Sequence, residues 1–283
     1  MVDHYPPDIT RVGSSDAQIA VHVLAGDPSR PPLLISHATG FHAHAYLPVA
    51  QRLADRFHVF GIDHRGHGAT ASPGGNTIDW TDCGADTAAV ARSIAPDGGL
   101  VGVGHSMGGA TLLLAAHRDP QLFSRLILFE PIAFPPSEDA NAAKGSPLAT
   151  GALRRRRRFD SYDHAYDNYA SKPPLNQFDA DALRNYVDFG FAPIDDHDGV
   201  GVQLRCTPEM ESATFVASME SGLWDLLPHI ATAVIVIGSG DGDGPALIAP
   251  RVAERLPNAE FVSFPDQNHF GPFVDPGAFA DTV

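Results

Sequence analysis

In LVGVGHSMGGATLLLAA, Leu100 to Ala116, an apolar run is interrupted by Gly-His-Ser-Met-Gly-Gly and then resumes. The continuous run Leu100–Val103 predicts a strand covered on both faces, and Met107–His117 predicts a helix. His105 and Ser106 therefore stand at a turning point, hemmed in by Gly104, Gly108 and Gly109. Gly-x-Ser-x-Gly between a strand and a helix predicts the nucleophile elbow, a turn that strains the serine backbone and lifts its hydroxyl above the carboxyl end of a sheet. Glycine is required on either side because a Cβ there would collide with the neighbouring strand and helix. The hydroxyl also stands at a helix N-terminus, where free N–H groups favour developing negative charge. Neither Gly-Lys-Ser/Thr nor Gly-x-Gly-x-x-Gly is present here, which argues against a phosphate-binding turn.

Short apolar runs alternate with helix-like segments on both sides of this elbow. Strands are predicted at Ile19–Leu24, Leu33–Ser36, Phe57–Ile62, Leu100–Val103, Arg125–Phe129, Ala233–Ile237 and Glu260–Phe264. Helices are predicted at Ala45–Asp55, Trp80–Ile94, Met107–His117, Pro245–Leu256 and Gly277–Thr282. The alternation predicts an α/β fold with a mostly parallel sheet and helices on both faces. It stops between Pro131 and Pro228. That stretch opens with the breaker-rich IAFPPSEDANAAKGSP and shows no obvious buried strand. It holds 11 of the 24 Phe, Tyr and Trp residues in 98 of 283 positions, so it is aromatic-enriched. It is expected to be a helical cap inserted after the sixth strand, which divides the core into 1–130 and 229–283. Tyr162, Tyr166 and Tyr169 follow i, i+4, i+7 spacing and share one helix face. Such a stripe either glues the cap to the core or lines a pocket.

A serine hydroxyl is a weak nucleophile; it needs a base, and the base needs an orienting acid. After AVIVI comes Gly238-Ser-Gly-Asp241, and after EFVSF comes Pro-Asp-Gln-Asn-His269. The order Ser106, Asp241, His269 is the one expected for hydrolases built on this elbow. Each residue follows a predicted strand, so the three can converge at one sheet edge. Asp241 has two rivals: Asp243, in the same loop, and Glu130, which ends LILFEP.

With these motifs the sequence resembles the α/β-hydrolase superfamily, in its cap-bearing branch of small esterases and lactonases. The resemblance rests on His37-Ala-Thr-Gly-Phe41, Asp63-His-Arg-Gly-His-Gly68, GHSMGG, GSGD and NHF, and it is weak in the cap. It implies an eight-stranded sheet and an oxyanion hole made of the backbone amides of Thr39 and Met107. Ala38 stands where the family usually has glycine. The resemblance also implies that Asp63 and Arg65 are structural. Substrate-pocket candidates are Phe41, His105, Tyr166, Trp224 and Phe270.

Composition narrows the functional classes. A formal net charge of −15 argues against nucleic acid as a partner. No apolar run reaches the roughly 18 residues that span a bilayer, so no membrane partner is expected. The start, MVDHYPPDITRV, has no basic region followed by an apolar stretch, and no signal peptide is expected. Two cysteines, Cys83 and Cys206, suit a reducing compartment. A cytoplasmic protein acting on a small molecule is expected, with the oligomeric state open. His37, His42, His44, His64, His67 and His105 crowd the predicted mouth, but their spacing matches no standard zinc pattern, and the chemistry requires neither metal nor cofactor. The run Arg154–Arg158 sweeps around a helix and cannot form one face. It is either a solvated, salt-bridged segment or an attractor for an anionic group. The expected activity is hydrolysis of a small to medium, rather apolar ester or lactone through an acyl-enzyme. The alternatives are C–C bond cleavage or a lyase reaction leaning on Lys144 or Lys172, and a non-catalytic ligand receptor.

Overall fold

The computed structural model describes residues 1–6, 9–136, 146–196, 199–242 and 244–283. Two of the residues considered above, Lys144 and Asp243, lie outside the described residues. The first half of the core runs β1 (Thr10–Ser14), β2 (Ala17–Ala25), β3 (Pro32–Ser36), α1 (Leu47–Leu53), β4 (His58–Asp63), α2 (Trp80–Ile94), β5 (Leu100–His105), α3 (Met107–Arg118) and β6 (Phe123–Phe129). After an intervening segment it resumes with β10 (Ala233–Ser239), α9 (Gly244–Arg255), β11 (Ala259–Phe264), α10 (Gly271–Val274) and α11 (Pro276–Ala280). Among the described residues these strands form an eight-stranded sheet in the order β1-β2-β4-β3-β5-β6-β10-β11. The pairs β1/β2 and β2/β4 are antiparallel; the remaining neighbours are parallel.

Burial explains which strands the apolar pattern reveals. Every residue of β5 is buried, and so are Leu33–Ser36 of β3 and Leu126–Phe129 of β6. These central strands are covered by helices on both faces and read as continuous apolar runs. β1 is a mostly exposed edge strand, Thr-Arg-Val-Gly-Ser, and carries no such run. The predicted helix at Ala45–Asp55 begins as a 3₁₀ turn, Ala43–Tyr46, before α1.

The segment between β6 and β10 is not purely helical. It contains α4 (Pro147–Ala152), β7 (Arg158–Phe159), α5 (Tyr162–Ala170), α6 (Ala180–Gly190), β8 (Phe191–Asp196), β9 (Gly199–Leu204), α7 (Pro208–Ala217) and α8 (Leu223–Leu226). Strands β7, β9 and β8 pair antiparallel in a separate three-stranded sheet. Among the described residues, the buried side chains of this small sheet are Phe159, Phe191, Val202 and Leu204, while most of its other positions are partly or fully exposed. Half-covered strands of two and six residues lack the continuous apolar signal of the core strands, so the sequence pattern does not disclose them.

The elbow is held by close backbone approaches. A Cβ on Gly108 would stand 2.0 Å from the Ser36 carbonyl oxygen, and one on Gly104 would stand 2.7 Å from the Gly109 Cα. These neighbours are backbone atoms of β3 and α3 and cannot rotate aside. Gly108→Ala is expected to cost about 3 kcal/mol of stability, the upper end of ordinary overpacking. The check is the urea midpoint of the purified variant at unchanged m-value. A midpoint equal to wild type would mean that α3 can slide away from β3.

Candidate active site

Ser106 joins β5 to α3 with φ 55° and ψ −116°, a backbone conformation that non-glycine residues rarely adopt. Its N–H donates to the Phe129 carbonyl at 2.9 Å, which fixes the turn against β6. Although Ser106 occupies the N-cap position of α3, its side chain makes no capping hydrogen bond. The hydroxyl is therefore not committed to the helix.

His269 follows β11, and its ring nitrogen Nδ1 pairs with Glu130 Oε2 at 2.5 Å. Glu130 is fully buried and also has positive φ, 45°, one residue beyond β6. Its other oxygen, Oε1, accepts from the Ser239 amide at 2.7 Å. Burial pushes the Glu130 carboxyl up, but the bonds from His269 and Ser239 outweigh it and hold the group below its ordinary value. Asp241, expected as the partner of the imidazole, is placed differently. Its Oδ2 accepts from the backbone amide of His269 at 2.9 Å. The structure thus sets Asp241 to hold the main chain of the histidine loop and Glu130 to hold the ring. The physical reason lies at the end of β10: its last residue, Ser239, gives its amide to Glu130, and two residues further on Asp241 meets the His269 amide and not the ring.

A second set of bonds ties this loop to the segment after β3. His105 Nε2 lies 2.8 Å from the His269 carbonyl, and its Nδ1 lies 2.8 Å from the Tyr46 hydroxyl. A carbonyl only accepts, so Nε2 carries the proton and Nδ1 accepts from Tyr46. The Tyr46 oxygen in turn accepts from the Ala38 amide at 3.1 Å. Burial, with the nearby His269, pushes the His105 imidazole well down, consistent with this neutral form. The Thr39 hydroxyl donates to Met107 Sδ at 3.5 Å, bringing the two expected oxyanion residues together. Met107 opens α3, where the first N–H groups have no intrahelical partner. The Gly40 amide donates to His67 Nε2 at 3.1 Å and the His64 amide to His37 Nε2 at 3.0 Å. These histidines act as neutral acceptors that shape the loop, and burial pushes both the His37 and the His67 imidazole below the ordinary value. Asp63 is likewise structural: it accepts from the Ala43 and Ala69 amides, each at 2.8 Å, and pairs with His22 at 2.9 Å. Arg65 is locked onto Asp86.

Ser106, Thr39, Glu130, Asp241 and His269 all line one cavity of about 620 Å³. Phe41, His105 and Phe270, expected at the pocket, line it too. Tyr166 and Trp224 do not. Tyr166 lies beneath the Arg184 guanidinium at 5.0 Å from its ring centre. Trp224 is buried in the core, with Arg251 and Arg255 at 5.1 and 4.7 Å from its ring. Of the tyrosine stripe on α5 it is Tyr169 that reaches the cavity, joined by Tyr186 from α6. The arginine run also divides. Arg157 pairs with Glu209 at 2.5 Å, Arg158 pairs with Asp196 at 2.8 Å, and Arg156 covers the Phe159 ring at 4.4 Å. Arg155 instead lines the cavity, where it pairs with Glu211 and with the hydroxyls of Tyr169 and Tyr186. Arg155, Glu211 and Tyr186 are absent from the pocket expected from sequence. The arginine run was the available signal, but periodicity could not single out its second member.

The model of the Alpha/beta hydrolase family matches residues 33–282. The 2-(acetamidomethylene)succinate hydrolase of Mesorhizobium japonicum is 26% identical over 254 residues, covering 88% of this chain and 84% of its own. A putative non-heme bromoperoxidase of Mycobacterium tuberculosis is 29% identical over 250 residues, covering 80% and 81%. Among solved structures, that of E-2-(acetamidomethylene)succinate hydrolase superposes with a TM-score of 0.75 at 22% identity, covering 96% of each chain. Among the described residues, no helix is long and apolar enough to cross a membrane.

Proposed function

This chain belongs to the alpha/beta hydrolase family, and we propose from that premise that it is a serine hydrolase of carboxylic esters or lactones. The observation that carries the proposal is the pairing of His269 Nδ1 with buried Glu130 at 2.5 Å, beside an elbow serine in the same cavity. Ser106 Oγ attacks the substrate carbonyl carbon while its proton passes to His269 Nε2. Glu130 holds the ring in the tautomer that leaves Nε2 free to accept, and it stabilises the imidazolium that results. The amides of Thr39 and Met107 receive the oxyanion, an effect of roughly 3–4 kcal/mol per donor. As the tetrahedral intermediate collapses, the bond to the alcohol oxygen breaks, and His269 returns its proton to that leaving group. Water then attacks the acyl-enzyme, gives its proton to His269 and releases the acid, and the proton returns to Ser106. The walls near Phe41, Phe270 and Trp80 suit a small to medium, largely apolar substrate. A relative named as a hydrolase supports the reaction class.

The test is covalent. A fluorophosphonate should add one equivalent to wild type, and peptide mass mapping should place it on Ser106. p-Nitrophenyl acetate should give a burst of nitrophenolate followed by slower turnover. A label on another residue, or none, would end the proposal.

A further inference from the structure

We propose that Arg155 forms a carboxylate subsite, and that the preferred substrates carry a second, ionised carboxyl group a few carbons from the scissile carbonyl. The proposal rests on the serine-hydrolase reading above and names its substrate class.

The cavity is mostly apolar, yet a guanidinium stands in its wall. One terminal nitrogen of Arg155 donates to Glu211, and the other donates to Tyr169 and Tyr186. Glu211 and Tyr186 are buried at 8% and 3% exposure, and the Arg155 side chain keeps 18%. The group is thus fixed in place before any ligand arrives. If its only task were to clamp α5, α6 and α7 together, apolar side chains would serve as well, because a buried ion pair gains little over well-packed hydrophobic residues. These bonds use three of the five guanidinium N–H groups, and the two phenols that accept from it keep their own O–H groups as donors. Lys172 lines the same cavity, its ammonium bonded to Asn168 Oδ1 at 2.6 Å. Of the three carboxylates in the lining, Glu130 and Asp241 are taken up by His269, which leaves Arg155 and Lys172 against Glu211 alone. The whole chain carries a formal −15. Its overall field repels anions, so a cationic wall here acts through contact and not through steering.

Position sets the length of the substrate. A Cβ built on Gly40 would lie 2.7 Å from Glu211 Oε1, so the Arg155–Glu211 pair abuts the loop whose preceding residue is Thr39. A carboxylate held by Arg155 is therefore a short acyl chain away from a carbonyl seated at the oxyanion site. Glu211 moderates the subsite: it shares the guanidinium and offsets part of its charge.

The experiment compares mono-p-nitrophenyl glutarate with its methyl ester, in which a methyl group removes the charge, with spontaneous hydrolysis subtracted. Wild type should favour the anionic ester in kcat/KM by about 10- to 100-fold, the scale of a hydrogen bond to a charged group. Arg155→Gln should reduce that ratio by at least about 10-fold. Glu211→Gln keeps the cation and removes its resident partner, so it should raise the ratio. A clamp with no ligand role predicts the same ratio in all three proteins. That result, or a wild-type preference for the methyl ester, would overturn the proposal. If Arg155→Gln does not fold, the ratio in Glu211→Gln decides by itself: a value no higher than wild type overturns the proposal. Protection of Ser106 from the fluorophosphonate by free glutarate, against dimethyl glutarate, reads the subsite without turnover; equal protection also overturns it. Failure of Ser106 to label at all would instead sink the serine-hydrolase reading.

Discussion

Ser106→Ala should lower kcat on p-nitrophenyl acetate by about 10⁴-fold or more while leaving the circular dichroism spectrum and the melting temperature near wild type. The size follows from removing the atom that forms the acyl bond in the proposed mechanism, since the members of such a site act as a unit. The absence of a folding penalty has its own structural basis. The Ser106 side chain caps no helix, and the strained turn is held by the Ser106 N–H bond to Phe129 and by the glycines around it, none of which changes. Alanine keeps the Cβ and the same backbone. It meets φ 55° no more easily than serine does, so a small change in stability of either sign is the expected range. A purified variant that retains more than about a tenth of wild-type activity would show that Ser106 is not the nucleophile.

How much of this site can be read from sequence depends on what kind of constraint places each residue. Ser106 and His269 are legible because local chain geometry places them: one sits in a glycine-bounded turn between two apolar runs, the other just beyond a strand. The acid is a different case. Glu130 and Asp241 stand at the ends of neighbouring strands, β6 and β10, and both reach the histidine loop. Glu130 lies one residue beyond β6 and Asp241 two beyond β10, and which of them meets the ring and which the main chain is decided in three dimensions. Spacing along the chain does not resolve that. The same distinction runs through the pocket. Phe41 and Phe270 belong to legible motifs and line the cavity, whereas Tyr166 is one of three tyrosines on a helix face and Trp224, in the short α8, belongs to no motif. On α5, Tyr169 faces the cavity and Tyr166 lies under Arg184, one helical turn apart. Their directions around the helix differ by only about 60°, and the rotation that sends Tyr169 and not Tyr166 to the cavity is fixed by packing against α6, not by the sequence of α5. The small β7-β9-β8 sheet escapes notice for a related reason: half-covered strands carry a weaker pattern than strands buried on both faces.

Exchanging Glu130 for glutamine should be the decisive comparison for the acid, with an expected loss in kcat of up to about 10⁴-fold. The effect turns on which end of the new amide faces the ring. In wild type, Glu130 Oε1 accepts from the Ser239 N–H at 2.7 Å while Oε2 faces His269 Nδ1 at 2.5 Å. A glutamine must keep an oxygen toward Ser239, because an NH₂ group there would meet another donor. Its NH₂ is therefore turned onto Nδ1, which must accept, and the ring proton moves to Nε2. An imidazole protonated on Nε2 cannot take the Ser106 proton, so the site is present in shape and absent in function. The charge that stabilises the imidazolium is lost as well. Asp241→Asn should behave quite differently. The asparagine oxygen can still accept from the His269 amide, so the loop keeps its anchor and the ring keeps its tautomer. Its loss should stay within about 10-fold, on the scale of one modest hydrogen bond. Both variants are to be measured for kcat on p-nitrophenyl acetate at neutral pH, with melting temperatures alongside to show that each is folded. A larger loss at Asp241 than at Glu130 would move the acid to Asp241 and would mean that the histidine ring rotates toward β10 when substrate is bound.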